Sequence, residues 1–258
     1  MNRRAYQRDS DLKLLQDFNA AAIAVTDHCG YLHPGDIPHH LFSGNKLYDP
    51  AEVMTIWEDT KGVAAWVLAG PRHKSCDIQL RPDLRGSGFE CEVLAYSEAR
   101  LLALMHTYEI ESEHIYADAF QCDQDRARLL LESGWELEDQ GNYMLNRIRL
   151  DKIAPPVLPQ GYSIRSGRGA AEADALAQVH VDSFGSKWTA ETYRKVIESP
   201  GYVAEREYVV VAPDGSLAAF TVTWHDSFNR IGSFEPVGTH KDHRRMGLGR
   251  ALLTYGMQ

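Results

Sequence analysis

The sequence predicts an α/β (α+β) protein built as two tandem domains, each a mixed, mostly antiparallel sheet flanked by helices. Three observations carry that expectation. Helical and strand-like spacings of apolar residues alternate along all 258 residues. A connector with three prolines in ten residues, 151–160, forbids a central strand or a helix interior and reads as an extended linker between domains 1–150 and 161–258. Finally, the two halves repeat one order of elements, each ending in a strand that feeds an Arg/Gly loop and a helix, with Arg85 and Arg244 at equivalent points.

In the first half, Leu12, Leu15, Phe18 and Ile23 recur near helical spacing and predict a helix over 11–27. A His-, Pro- and Gly-rich loop follows over 28–45, then a short helix over 50–59 with Pro50 near its start. Residues 62–69 and 75–80 read as strands, leading into Arg81-Pro82-Asp83-Leu84-Arg85-Gly86-Ser87-Gly88 and a long helix to about residue 108. A strand over 114–120, a helix over 123–133 and a closing strand pair across Asp139-Gln140-Gly141-Asn142 complete this half.

The second half opens on a strand at 162–165 and a helix around 172–184. Another helix starts near Thr189, an N-cap residue type, with Glu191 in its first turn. Strands at 208–212 and 217–225 flank Pro213-Asp214-Gly215-Ser216, a hairpin turn signal. A strand over 231–240 and a helix from Gly247 follow. Relative to the first copy, the second is expected to be truncated, lacking the later strand–helix–strand section; the sheet edge left open makes a homodimer a reasonable expectation.

Composition narrows the function. A formal net charge of −9 argues against nucleic acid and against anionic lipid, both of which call for a basic surface. No apolar run approaches the ~20 residues that cross a bilayer, and Met1-Asn2-Arg3-Arg4 precedes no apolar stretch of the signal-peptide kind. Cys29, Cys76, Cys91 and Cys122 lie far apart, without a Cys-x-x-Cys pair, and read as free thiols of a cytoplasmic protein. His28, His33, His39 and His40 lack Cys or acidic residues at ligand spacing, so a solvated loop is expected there and no metal.

Against this acidic background one stretch is basic: Phe234-Glu235-Pro236-Val237-Gly238-Thr239-His240-Lys241-Asp242-His243-Arg244-Arg245-Met246-Gly247-Leu248-Gly249-Arg250. Gly247 and Gly249 let backbone approach a ligand, and the helix that starts there presents unpaired N–H groups and the positive end of its dipole. That combination suits a pyrophosphate, with Lys241, Arg244, Arg245 and Arg250 around it. Pro236 and Gly238 predict a bulge or a splayed edge in the preceding strand, whose free backbone groups could pair with an extended amide ligand. Glu235 is the first candidate for a general base, or else a structural carboxylate; His225 and Asp226 are second choices.

Arg244-x-x-Gly247-x-Gly249 resembles the Q/R-x-x-G-x-G/A signature of the GNAT superfamily of N-acetyltransferases, and it sits between strand and helix as it does there. The resemblance implies acetyl-CoA as co-substrate. Val237, Gly238 and Thr239 would pair by backbone with pantetheine, and Arg244, Arg245, Met246, Gly247, Leu248, Gly249 and Arg250 would wrap the pyrophosphate. It implies direct attack of a small-molecule amine on the thioester in a ternary complex. The family's usual acid, a tyrosine on a later helix, has no counterpart, and Tyr255 lies on the wrong helix for that role. A non-catalytic acyl-CoA-binding module, or an inactive fragment of a longer tandem acetyltransferase, is the alternative. In the first half, Arg85-Gly86-Ser87-Gly88-Phe89-Glu90 keeps the arginine but sets Glu90 at the second glycine position, which implies a degraded cofactor loop.

Overall fold

Burial, more than local propensity, decides where the first elements begin and end. In the computed structural model, which describes residues 1–7, 9–138, 144–199 and 201–258, the chain divides into two units, Met1–Tyr143 and Met144–Gln258. Strand β1 (Asn2–Ala5), of which the sequence pattern gives no sign, opens the first. Helix α1 (Asp9–Thr26) matches the expected helix. The His-rich segment holds a short helix α2 (Asp36–Pro38) and a π-helical turn (His39–Gly44). His28 and His33 are buried there with stacked rings 6.4 Å apart, so the segment packs into the fold and is not the solvated loop expected. Helix α3 (Pro50–Val53) is capped by Asp49, which accepts from the Ala51 amide at 2.9 Å. It lasts one turn; the rest of the expected helix is strand β2 (Met54–Asp59), whose Met-Thr-Ile-Trp run suits a buried pleated surface.

Strands β3 (Gly62–Gly70) and β4 (Ser75–Leu80) continue the antiparallel sheet, and β5 (Tyr116–Ala117) joins β4 in parallel. The order is β1-β2-β3-β4-β5. Every residue of β3 after the first is buried, as in a strand covered on both faces. The registers show how. Ile56, Trp66 and Gln79 form one row. Asn19 of α1 ties into it, accepting from Trp66 Nε1 at 3.0 Å and donating to Gln79 Oε1 at 3.2 Å. The neighbouring row, Thr55, Val67 and Ile78, points to the other face, where Thr55 meets the Tyr96 hydroxyl of α4 (Gly88–Thr107) at 3.0 Å. Helix α5 (Gln124–Glu132) follows β5, capped by Asp123. The strand pair expected across 139–142 lies outside the described residues.

The cysteine reading needs correction: Cys29 and Cys122 are joined, leaving Cys76 buried and Cys91 exposed as free thiols. The pair is separated by 93 residues in sequence, but the turn after α1 meets the N-cap of α5. No spacing rule reveals a contact set by tertiary packing. The expectation of a reducing compartment loses this support. No described helix is long and apolar enough to cross a membrane.

In the second unit the sheet runs β6 (Ser163–Ser166), β7 (Glu207–Val211), β8 (Leu217–Asp226) and β9 (Ile231–Thr239), all antiparallel. Helix α6 (Ala173–Phe184) and helix α7 (Ala190–Ile197), the latter opened by a Thr189–Thr192 capping box, cover one face. There Leu176, Ala177, Val179 and Tyr193 bury Val209, Leu217 and Phe220. Helix α8 (Leu248–Gly256) covers the other, setting Leu248 and Leu252 against Val210, Ala218 and Ala219. Fully burying a leucine is worth about 1.5–3 kcal/mol. These two therefore fix where the N-terminus of α8 points, and that position matters most below.

Candidate functional site

β9 is an edge strand of the second sheet, hydrogen-bonded only to β8. Its register shifts where Thr221 gives way to Thr223, so that Glu235 and Pro236, joined by a cis peptide bond, stand together opposite Val222. This is the bulge that Pro236 predicts. Trp224 Nε1 holds it by donating to the Glu235 carbonyl at 2.8 Å. Val237 and Thr239 pair with Thr221 and Ala219, which leaves the outer edge of β9 without a strand partner among the described residues. Gly238 is required for packing. A Cβ there would collide with the ring of Phe220, so the strand backbone lies directly on that ring.

Beyond Thr239 the chain turns through a 3-10 turn (Lys241–His243), fixed at both ends. His240 donates from its amide to the Ala218 carbonyl at 2.9 Å, and its Nε2 lies 3.3 Å from Asp182 of α6. His243 Nδ1 pairs with the Tyr162 hydroxyl at 2.9 Å. Arg244 is exposed, but its Nη2 donates to the Ser183 carbonyl at 2.7 Å near the C-terminal end of α6, and its Nε lies 3.5 Å from the Thr239 carbonyl. Its side chain is a brace for the loop. Next, Arg245 and Gly247 both take left-handed backbone, φ 63° and 81°. The N-terminus of α8 that follows has no side-chain cap. Among the described residues the amides of Arg245, Met246 and Gly247 have no protein acceptor. Lys241, Arg245 and Arg250 are exposed, and among the described residues no carboxylate lies within ion-pair distance of them. A Cβ at Gly247 would meet nothing within 4 Å, and one at Gly249 only Thr239 Oγ1 at 3.6 Å. The turn is therefore open, uncapped and cationic, the arrangement that receives an anion.

The candidate carboxylates separate. Glu235 is half-buried at the bulge, beside the outer edge of β9. His225 and Asp226 lie at the far end of the β8–β9 pair, opposite Gly232 and Ile231, roughly 10 Å along the strand at ~3.3 Å per residue. Asp226 is buried and structural: it accepts from the amides of Phe228 and Asn229 and from Asn229 Nδ2, tying the hairpin turn. His225 is exposed, and partial burial followed by the nearby Arg206 lowers its pKa. Tyr255 of α8 packs edge-on against Tyr208, ring centroids 5.1 Å apart. One acid has no visible sequence signal. Glu207, at the head of β7 and opposite Val222, is fully buried and takes hydrogen bonds from the hydroxyls of Tyr193 and Tyr202.

Residues 173–258 match the sequence model of the acetyltransferase (GNAT) family. The C-terminal unit is a GNAT domain. The fold likeness extends over 99% of the chain. It is similar to a GCN5-related N-acetyltransferase from Sphaerobacter thermophilus, with a TM-score of 0.58, 19% identity and 82% of that chain covered. It is also similar to a tandem GNAT protein from the clavulanic acid biosynthesis pathway, with a TM-score of 0.53, 13% identity and 84% of that chain covered. At such identities the likeness is one of fold, and the fold is the two-domain GNAT fold. A comparison with curated protein sequences found no match. Within the GNAT domain, the uncapped turn at Arg245–Gly247 coincides with the family's signature, and family and fold together support acyl transfer, generally from acetyl-CoA.

Proposed function

We propose that the C-terminal GNAT domain binds acetyl-CoA and transfers its acetyl group to the amine of a small molecule by direct attack in a ternary complex. One observation carries the reading: the open turn of Arg245–Gly249, where among the described residues the amides lack protein acceptors and the cations lack carboxylates, lies at the end of a bulged strand whose outer edge has no strand partner among those residues. The amides and Arg245, Gly247, Leu248, Gly249 and Arg250 receive the diphosphate; Met246, 39% exposed, flanks it. Val237 and Thr239 turn backbone donors and acceptors outward to the pantetheine amides, as a sheet edge does to an added strand, while Gly238 pairs inward with Phe220 and keeps the strand surface low. Arg244 keeps the turn in shape through Ser183.

The chemistry then needs a base for the amine proton and a donor for the thioester oxygen. Glu235 takes the proton, directly or through one water, as the amine nitrogen bonds to the acetyl carbon. The carbon–sulfur bond breaks and the departing thiolate is protonated in turn. A backbone N–H of the bulge supports the developing oxyanion. The acidic chain as a whole, at −9, favours approach of a cationic amine. The test is isothermal titration with acetyl-CoA alongside thiol release across a panel of amines, for the full chain and for Arg245→Glu. Binding that Arg245→Glu abolishes, with turnover on some amines, is the expected result. Binding without turnover would leave a non-catalytic acyl-CoA module, and binding indifferent to Arg245→Glu would sink the assignment of the turn.

A further inference from the structure

The N-terminal unit contains a turn that opens as the C-terminal one does. After β4, a 3-10 turn (Pro82–Leu84) leads to Arg85 in extended backbone, φ −71° and ψ 145°, then to Gly86 at φ 70° and into α4. In the C-terminal unit the 3-10 turn leads to Arg244 at φ −69° and ψ 158°, then to Arg245 at φ 63° and into α8. The backbones correspond at Arg85 and Arg244 and at Gly86 and Arg245, then part: α4 begins at Gly88, whereas its counterpart Gly247 is left-handed at φ 81° and α8 begins one residue later. In sequence alignment Glu90 stands where the other turn has Gly249.

Glu90 is 3% exposed, and its carboxylate folds back into its own turn. Oε2 accepts from the Gly86 amide at 2.5 Å, and Oε1 accepts from Arg126 Nε at 2.6 Å. Arg126, 7% exposed, reaches over from α5 and also donates to the Ile78 carbonyl of β4 at 3.4 Å, beyond the point where β5 stops pairing. The signature arginine of this turn is taken as well. Arg85 pairs with Asp123, donates to the Cys29 carbonyl at 3.3 Å, and lies over the Tyr31 ring at 5.5 Å. Gly30 makes the room, since a Cβ there would come within 2.7 Å of both Arg85 Nη1 and Asp123 Oδ2. The Cys29–Cys122 bridge clasps the same place, because its cysteines directly precede Gly30 and Asp123.

We propose that Glu90 is a built-in anion: its carboxylate occupies the position of a ligand phosphate on this turn and closes the N-terminal unit to diphosphate-bearing ligands. Both guanidinium groups that would meet a phosphate already have a carboxylate, and the leading amide already has its acceptor. An entering diphosphate would bring a second negative charge against a buried one, and displacing Glu90 would strand it unpaired. This closure rests on contacts of the N-terminal unit alone and does not depend on what the C-terminal unit binds.

The experiment uses the full chain with Arg245→Glu and Arg250→Glu, which removes the cations of the C-terminal turn. Inorganic pyrophosphate is titrated by calorimetry and thermal shift against this chain and against the same chain carrying Glu90→Gln. Glutamine keeps the volume and an oxygen for the Gly86 amide while removing the charge. The expected result is no response with Glu90 present, and a melting temperature that climbs with pyrophosphate once Glu90→Gln is introduced. Adding Arg126→Met should erase that climb. Saturable pyrophosphate binding with Glu90 in place overturns the proposal, as does a folded Glu90→Gln chain that ignores pyrophosphate. Should Glu90→Gln fail to fold, recovery of near-UV circular dichroism on refolding with pyrophosphate supports the closure, and failure to recover counts against it.

Discussion

Replacing Glu207 by glutamine should stabilise the C-terminal unit, and do so only above mildly acidic pH. Glu207 is fully buried and is held by two tyrosine hydroxyls; among the described residues it has no ion-pair partner. Burial pushes its pKa from 4.5 up to about 7, the two hydroxyl bonds offsetting only part of that rise and nearby Glu172 adding to it. Burial first, and then Glu207 itself, raises both tyrosines, so they stay donors. A carboxyl whose folded pKa lies above its unfolded value contributes fully below the unfolded value. That contribution is lost as pH rises through the folded one. Between 4.5 and about 7 the loss amounts to about 3 kcal/mol. Glutamine keeps an oxygen for one tyrosine and carries no charge, so the variant should match the parent at about pH 4.5 and exceed it by about 3 kcal/mol near pH 8. Urea unfolding of the full chain, followed by tryptophan fluorescence across that range, reads the difference directly. Parent and variant curves that stay parallel with pH would refute the reasoning, and so would a variant weaker at every pH.

Glu235→Gln should lower turnover by about 10²-fold or more while leaving the acetyl-CoA dissociation constant unchanged, measured by thiol release and calorimetry. Gly238→Ala should destabilise the C-terminal unit by about 1–3 kcal/mol through its clash with Phe220, and Phe220→Leu in the same chain should restore part of that in urea titrations. Gly249→Glu transplants the closure of the N-terminal turn. Its Cβ has room, 3.6 Å from Thr239 Oγ1, so the melting temperature should hold while coenzyme affinity falls at least ~10-fold by calorimetry.

Most of the architecture was legible because its signals are local. The Pro-Asp-Gly-Ser hairpin, the Thr189 cap and the apolar spacing of α1 each fall within one element or turn. β1 was not, since Asn-Arg-Arg-Ala carries no strand pattern and is extended only because β2 offers it an edge. β2 departs from the expected helix for a related reason: Asp49 and Pro50 do start a helix, but four residues later β3 recruits the chain into the sheet. In the site, the turn and the bulge follow from glycine and proline chemistry, which sequence displays. The Arg244–Ser183 hydrogen bond, the Cys29–Cys122 bridge and the Glu207–tyrosine cluster depend on partners distant in sequence, and no periodicity encodes them.

The two turns taken together say what the signature is for. An arginine followed by a left-handed residue does not by itself make an anion site here, because both turns have that pair and one of them is satisfied from within. What differs is who supplies the negative charge. At Glu90 a buried carboxylate with its own guanidinium completes the turn permanently, adding rigidity to a unit that keeps the fold. At Gly249 the missing side chain leaves the leading amide and the cations of Lys241, Arg245 and Arg250 without a carboxylate partner among the described residues, in a protein of net charge −9. A cationic opening of that kind weakens the apo chain slightly through mutual repulsion and is relieved only by an anion from solution. Under the proposed function, the second glycine of the signature acts by exclusion: it keeps the protein from answering its own demand for an anion, and so leaves the turn to a ligand.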